Sequence, residues 1–338
     1  MSNNDRHHIH TNEVTPQMKK SIVVRLVTAF IGLAIIIPCL FVGDWLFVAC
    51  VTILLSLSTF EIIRAPKKKF PIAIYVLTYL LSYVTLYFGF IYIPLSQSGL
   101  DYNVVNAFSA PQIFLSAATS FFALFIYFII SLFTDKVQMN DIFYLFTMTL
   151  LMAMGMQAVL YLRHLPLYMN PSLVDDAGYR YAGSTTLLIY VLLSIFSNDS
   201  GAYYIGILFG KHKMNEAISP KKTWEGFAGG VFLSLLISMS FALTMAHFNL
   251  PILPFLDLEH WYLILLISGI NAILCPVGDL FFSQVKRHFK LKDFSNLLPG
   301  HGGFTDRLDS VMFCCLSSAI IVSLTYQVLD YFGQINIL

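Results

Sequence analysis

Nine apolar stretches, near 22–42, 45–63, 70–93, 112–133, 142–162, 184–209, 226–247, 260–285 and 309–332, divide this chain of 338 residues. Each approaches the roughly 20 residues that an α-helix needs to cross the hydrocarbon core of a bilayer. Lipid offers backbone N–H and C=O groups no partner, so a run of this kind must close its own hydrogen bonds as a helix. The expected fold is therefore an all-α integral membrane protein of about nine transmembrane helices with a polar site facing the cytoplasm. A content of 57% hydrophobic and 12% charged residues, with a mean hydropathy of +0.72, agrees. The first run follows Lys19, Lys20 and Arg25 as a signal peptide would. Its apolar part exceeds the roughly 7–15 residues of a signal core and no small-residue cleavage site closes it, so it reads as a span.

The basic residues orient these spans, because Lys and Arg collect in alternate, cytoplasmic loops. Eighteen of the 20 lie in or beside the amino-terminal tail, at 64–69, 134–141, 210–223 and 286–307, and only Arg163 and Arg180 fall on the other side. Nine spans with the amino end inside and the carboxyl end outside follow. Residues 1–20 read as a disordered cytoplasmic tail, 21–183 as five amino-terminal helices, and 184–338 as a catalytic region of four. The five cysteines, Cys39, Cys50, Cys275, Cys314 and Cys315, sit inside apolar runs without CxxC or Cys/His spacing. They read as small buried hydrophobes, without a zinc site or a disulfide frame.

Chemistry is expected in the two polar cytoplasmic loops, "GKHKMNEAISPKKTWEGFAGG" (210–230) and "SQVKRHFKLKDFSNLLPGHGGFTDRLDS" (283–310), which together carry nine Lys and Arg. That charge suits a multiply phosphorylated substrate. It equally suits a topology signal strengthened by anionic lipid. The carboxylates add weight to the first reading, since an acid within a span is costly unless it faces a wet cavity or a partner. Asp199 lies in the sixth span and Asp279 in the eighth. Asp306 and Asp309, three apart where the ninth begins, can share one face of its first turn. A helix cap accounts for one of these aspartates. Mg²⁺ is a hard ion that takes one or two carboxylates together with phosphate oxygens and water, so a pair of aspartates on neighbouring helices is an adequate protein share. The glycines of "PGHGG" would let backbone N–H groups approach an anion, or simply make a tight turn. His301 between them is a loop histidine or a general base.

The pattern Ser283-x-x-Lys286-Arg287, Lys292-Asp293, Pro299-Gly300-His301-Gly302-Gly303, Asp306-Arg307-x-Asp309 resembles the signature of the phosphatidate cytidylyltransferases, also called CDP-diacylglycerol synthases. "NDSGAYYIGILFGKHK" and "ISPKKTWEGFAGG" resemble the region upstream of it. The resemblance is close over 185–332, while the first five spans match in hydropathy only. It implies a Mg²⁺-dependent reaction of CTP with phosphatidate to CDP-diacylglycerol and pyrophosphate, in phospholipid biosynthesis. It implies as well a homodimer in the inner membrane of a bacterium, with room for a second cation. No nucleic-acid partner is expected.

On this reading Asp279, Asp306 and Asp309 are the metal ligands, and with Lys286 and Arg287 form the catalytic group. Lys221, Lys222 and Arg307 would hold phosphates, with Ser219, Ser283, Lys292, Asp293, His301, Gly302 and Gly303 in the substrate site. Asp199 completes the acidic cluster or orients a lysine. Trp224 is an interfacial anchor or a base-stacking residue. Two other functions fit the same features: a different CTP-using lipid-phosphate enzyme, and a transporter. Intramembrane acids and a glycine-broken segment also mark transport pathways. A transporter would favour repeated halves, and the first five spans carry no second copy of the 283–309 pattern.

Overall fold

The computed structural model describes residues 16–42, 44–91, 110–169 and 177–331. Among them are nine helices: α1 (Pro16–Val42), α2 (Asp44–Arg64), α3 (Ile72–Ile91), α4 (Ala110–Leu132), α5 (Met139–Met169), α6 (Ala177–Phe209), α7 (Trp224–His247), α8 (Trp261–His288) and α9 (Thr305–Tyr331). Each lies on one of the nine apolar runs. Six contain stretches long and apolar enough to cross a membrane, in α1, α2, α5, α7, α8 and α9, and α3 and α4 add shorter apolar segments, Ile72–Tyr87 and Ser116–Leu132. The protein is a multi-pass membrane protein. Helix α6 is absent from that set because Ser197, Asn198, Asp199 and Ser200 interrupt its apolar run. The tail expected at 1–20 lies outside the described residues except at its end, where α1 already begins at Pro16.

Within lipid, close packing and interhelical hydrogen bonds hold helices together more than burial from water does. Helix α7 shows the packing device, since its buried residues recur every four positions and are all small: Gly226, Gly230, Ser234, Ser238, Ala242 and Ala246. This stripe lies along α6. A Cβ on Gly226 would stand 2.8 Å from the Ala202 carbonyl oxygen, and one on Gly230 2.8 Å from that of Asn198. Hydrogen bonds add to the contact, with Ser194 Oγ 2.8 Å from Ser234 Oγ. Between α8 and α9, Asn271 Nδ2 donates to Ser318 Oγ at 2.8 Å.

Pro276 sits inside α8 and has no N–H to give the carbonyl of Ala272, four residues back. Asn198 Nδ2, from α6, donates to that oxygen at 2.7 Å. The neighbouring helix thus restores a bond that proline removed, the repair expected where water cannot make it.

Helix α5 runs through the interior, with Leu145, Met152 and Leu160 fully buried, and packs against α2, α3, α6 and α9. Among the described residues the departure from an all-helical expectation is a short antiparallel hairpin, β1 (Lys213–Asn215) with β2 (Ser219–Thr223). Asn215 Oδ1 closes its turn by accepting from the N–H groups of Ala217 and Ile218, at 3.1 and 3.3 Å. Thr223 then caps α7, its Oγ1 accepting from Gly226 N at 3.1 Å.

Candidate active site

Where α6, the hairpin, the start of α7, the second half of α8 and the first turn of α9 meet, they enclose an open cavity of about 450 Å³. Helix α6 contributes Asp199 and Tyr203, and the hairpin Lys221 and Lys222. Helix α8 contributes Asp279 and Lys286, the α8–α9 connection Asp293, and the first turns of α9 Asp306, Arg307 and Asp309. Five aspartates thus face four Lys and Arg side chains. So nearly balanced a lining suits a ligand that carries both signs, such as a metal–phosphate pair, better than a bare cation or a bare anion.

Four of these charges are already matched in two pairs. Lys222 Nζ stands 2.7 Å from Asp279 Oδ2, with both side chains partly open to the cavity, and also donates to the Pro276 carbonyl at 3.2 Å. Ser283 Oγ donates to Asp279 Oδ1 at 3.3 Å. Lys286 Nζ stands 2.8 Å from Asp306 Oδ1, with both side chains nearly buried. Asp306 Oδ2 accepts from Phe294 N at 2.9 Å and Gly303 N at 3.0 Å. Asp309 is differently placed. Among the described residues its hydrogen bonds come only from the next residue, Ser310 N at 2.8 Å and Ser310 Oγ at 3.4 Å. It shares the cavity wall with Asp279 and Asp199. Gly278 permits this proximity of α8 to α9, since a Cβ there would stand 3.1 Å from the Asp309 carbonyl oxygen.

No group of three or more His, Cys, Asp or Glu side chains among the described residues is gathered closely enough to hold a metal by itself. Two carboxylates, Asp279 and Asp309, share the cavity wall where α8 lies close to α9, and the second is short of donors. Two hard oxygen groups in a cavity lined by phosphate-type cations fit Mg²⁺, which leaves its other positions to phosphate and water. Asp306 fits that role less well, because both of its oxygens already serve Lys286 and two backbone amides.

The structure brings Asp199, Lys221, Lys222, Asp279, Lys286, Asp293, Asp306, Arg307 and Asp309 to the cavity wall and leaves the other expected residues off it. Ser219 opens β2, and Lys292 lies in the α8–α9 connection. Ser283 steadies Asp279 from behind. Arg287 ties the hairpin to the loop, donating to Ile218 O at 3.3 Å and Leu291 O at 2.9 Å. His301 offers Arg307 its carbonyl, at 2.6 Å from Nη2, and its own Nδ1 is buried without a partner among the described residues. Gly302, at φ +85°, pairs with Leu298.

The glycine loop therefore differs from a cradle for substrate phosphate, because the N–H groups of His301, Gly302 and Gly303 are taken within the chain. Those of His301 and Gly302 donate to Leu298 O, at 2.9 and 3.1 Å. Gly303 N donates to Asp306. The next two, Phe304 N and Thr305 N, donate to Glu61 at 2.9 and 2.8 Å. Glu61 belongs to α2, is 1% exposed, and also accepts from Ser295 Oγ at 2.5 Å. Sequence reasoning passed over it, although an acid inside the 45–63 run is the same signal that singled out Asp199 and Asp279. Helix α1 touches the loop too, where Thr28 Oγ1 donates to Pro299 O at 3.1 Å.

Fold and site together define a multi-pass membrane protein with a cavity lined by acidic and basic side chains. Residues 23–325 match the model of the Cytidylyltransferase family, and the chain belongs to that family. The match begins in α1, so the likeness reaches well beyond the 185–332 region whose motifs are recognisable by eye. The phosphatidate cytidylyltransferase of Bacillus subtilis (strain 168) is 44% identical over 128 residues, 38% of this chain and 44% of that protein. That of Staphylococcus haemolyticus (strain JCSC1435) is 44% identical over 126 residues, 37% of this chain and 45% of that protein. That of Staphylococcus aureus (strain COL) is 40% identical over 126 residues, with the same coverage. The chain thus spans less than half the length of the curated relatives it matches.

Proposed function

We propose that this chain is a phosphatidate cytidylyltransferase. An oxygen of the phosphatidate phosphate bonds to the α-phosphorus of CTP as the bond from that phosphorus to the β-phosphate's bridging oxygen breaks. The products are CDP-diacylglycerol and pyrophosphate. The observation that carries this reading is the meeting of Asp279 and Asp309 with Lys221, Lys222, Lys286 and Arg307 in one cavity at the end of a membrane bundle. The printed names of the relatives point the same way.

In-line phosphoryl chemistry needs positioning and charge neutralisation, and no covalent enzyme intermediate. Lys222 is held by Asp279 at 2.7 Å and is partly exposed, so it is poised to exchange that carboxylate for a phosphate oxygen. Arg307, fixed at its Nε and Nη2 by the His301 carbonyl, would present its remaining donors to a second phosphate. Lys221 adds charge at the mouth, while Lys286 is committed to Asp306 and acts on the wall. Asp279 and Asp309 would hold Mg²⁺, which when bound neutralises charge across the phosphates. Tyr203, 64% exposed, gives the cavity an aromatic flank along which the acyl chains of the lipid would lie.

The site is assigned to the cytoplasmic face, where CTP is found, because the flanking loops carry nine of the 20 Lys and Arg residues. A homodimer in a bacterial inner membrane belongs to the same reading. The test is to supply purified protein with CTP, phosphatidate and Mg²⁺ and to measure CDP-diacylglycerol and pyrophosphate. Equal production of both, dependent on phosphatidate, is expected. Turnover only with a different lipid phosphate, or none with any, would overturn the assignment.

A further inference from the structure

We propose that Glu61 is a positioning residue for the metal-binding turn, reaching from the amino-terminal helices to set where the first turn of α9 sits. The inference rests on the reading of Asp279 and Asp309 as the Mg²⁺ pair. It concerns a residue outside the cavity wall, 243 residues before the turn it serves.

The first N–H groups of a helix have no partner within it and carry its positive end. At α9 two of these groups, Phe304 N and Thr305 N, end on the Glu61 carboxylate, 243 and 244 residues away in sequence. The local candidate for the task does not perform it, since Thr305 Oγ1 is buried without a partner among the described residues. Three successive amides, of Gly303, Phe304 and Thr305, are therefore shared between two carboxylates, Asp306 on one side and Glu61 on the other. Gly303 marks how tight this arrangement is. A Cβ there would stand 2.7 Å from both Glu61 oxygens, and its φ is not in the left-handed region, so the space alone calls for glycine.

Asp306 and Asp309 are the second and fifth residues of α9. Each residue turns a helix by about 100°, so any rotation or slide of this first turn carries Asp309 away from Asp279. Glu61 holds the turn from α2 and, through Ser295 Oγ at 2.5 Å, holds the preceding loop as well. The α2 helix thereby acquires a part in the site without touching substrate.

The test compares wild type, Glu61→Gln and a control, Lys68→Ala, in the full chain. The control breaks the Lys68–Asp141 ion pair of 2.8 Å, which joins the α2–α3 connection to α5 and touches no cavity residue. Mn²⁺ binding followed by electron paramagnetic resonance needs no turnover, so it separates failure of this inference from failure of the assigned reaction. Glu61→Gln points an amide donor at backbone donors. It should weaken Mn²⁺ binding and raise the Mg²⁺ concentration for half-maximal turnover by about tenfold or more, the scale of a displaced site. Amide exchange at 303–309 should quicken. Lys68→Ala should leave Mn²⁺ affinity within about twofold of wild type.

Unchanged Mn²⁺ binding in Glu61→Gln would overturn the proposal, and so would an equal loss in Lys68→Ala. Should Glu61→Gln not fold, Gly303→Ala decides, because its Cβ displaces the carboxylate. Its Mn²⁺ affinity should fall and should recover in part in Gly303→Ala/Glu61→Asp, where the shorter acid makes room. No loss in the single variant, or no recovery in the double, would refute the positioning role.

Discussion

Lys286 and Asp306, at the end of α8 and the start of α9, form a 2.8 Å ion pair whose side chains are 9% and 4% exposed. The pair of Lys222 with Asp279, at 2.7 Å, is more open, at 23% and 35%. Removing one partner of a buried pair strands the other charge and costs about 3–5 kcal/mol, whereas an open pair can be broken with far less effect. Asp306→Asn should therefore lower thermal stability by about 3 kcal/mol. Asp279→Asn should fold normally and lose turnover by about 100-fold or more. Thermal unfolding in detergent beside CDP-diacylglycerol formation checks both, and the reverse pattern would exchange the roles of the two aspartates.

Gly302 adopts φ +85°, and a Cβ there would stand 3.3 Å from Asp306 Oδ2. Gly302→Ala should cost about 1–2 kcal/mol of stability through the left-handed backbone alone. Because the loop's amides already serve Leu298, Asp306 and Glu61, the KM for CTP of the folded fraction should stay at the wild-type value. Kinetics with phosphatidate saturating would show this, and a raised KM would return the loop to the phosphate-cradle reading.

Asn198 and Pro276 form a compensating pair. Asn198→Ala leaves the Ala272 carbonyl without its 2.7 Å donor and should cost about 1 kcal/mol. Pro276→Ala gives α8 back its own N–H for that carbonyl, so the double variant should be more stable than the two single losses predict. Thermal unfolding of the four proteins gives the coupling directly. Strict additivity would mean that the amide does not replace the missing bond.

Orientation is checked with single cysteines at Lys67, Lys213 and Lys290 and, in the opposite loop, at Asn249. An impermeant thiol reagent applied to whole cells should label only the last, since basic loops stay on the cytoplasmic side. Labelling at Lys213 and Lys290 from outside would place the cavity on the face without CTP.

The sequence by itself determined the nine helices, because span length and apolar composition are local and the bilayer admits few other forms. It also singled out acids that the packed helices bring to one cavity. An acid in a span stands out as costly wherever it falls, and Asp199, Asp279, Asp306 and Asp309 all reached the cavity. What it did not determine is which way each donor points. The amides of "PGHGG" read as open to a phosphate or as part of a tight turn, yet Gly303 N serves Asp306, and the next two amides, of Phe304 and Thr305, serve a glutamate 243 and 244 residues away. Ser283 and Arg287 sit in the same motif as Lys286 and Asp306 but turn to Asp279 and to backbone carbonyls, respectively. The α6–α8 repair at Pro276 was hidden for the same reason. A hydrogen-bond partner is chosen by which helices are packed side by side, and only the tertiary structure brings Asn198 to Ala272 and Glu61 to the first turn of α9.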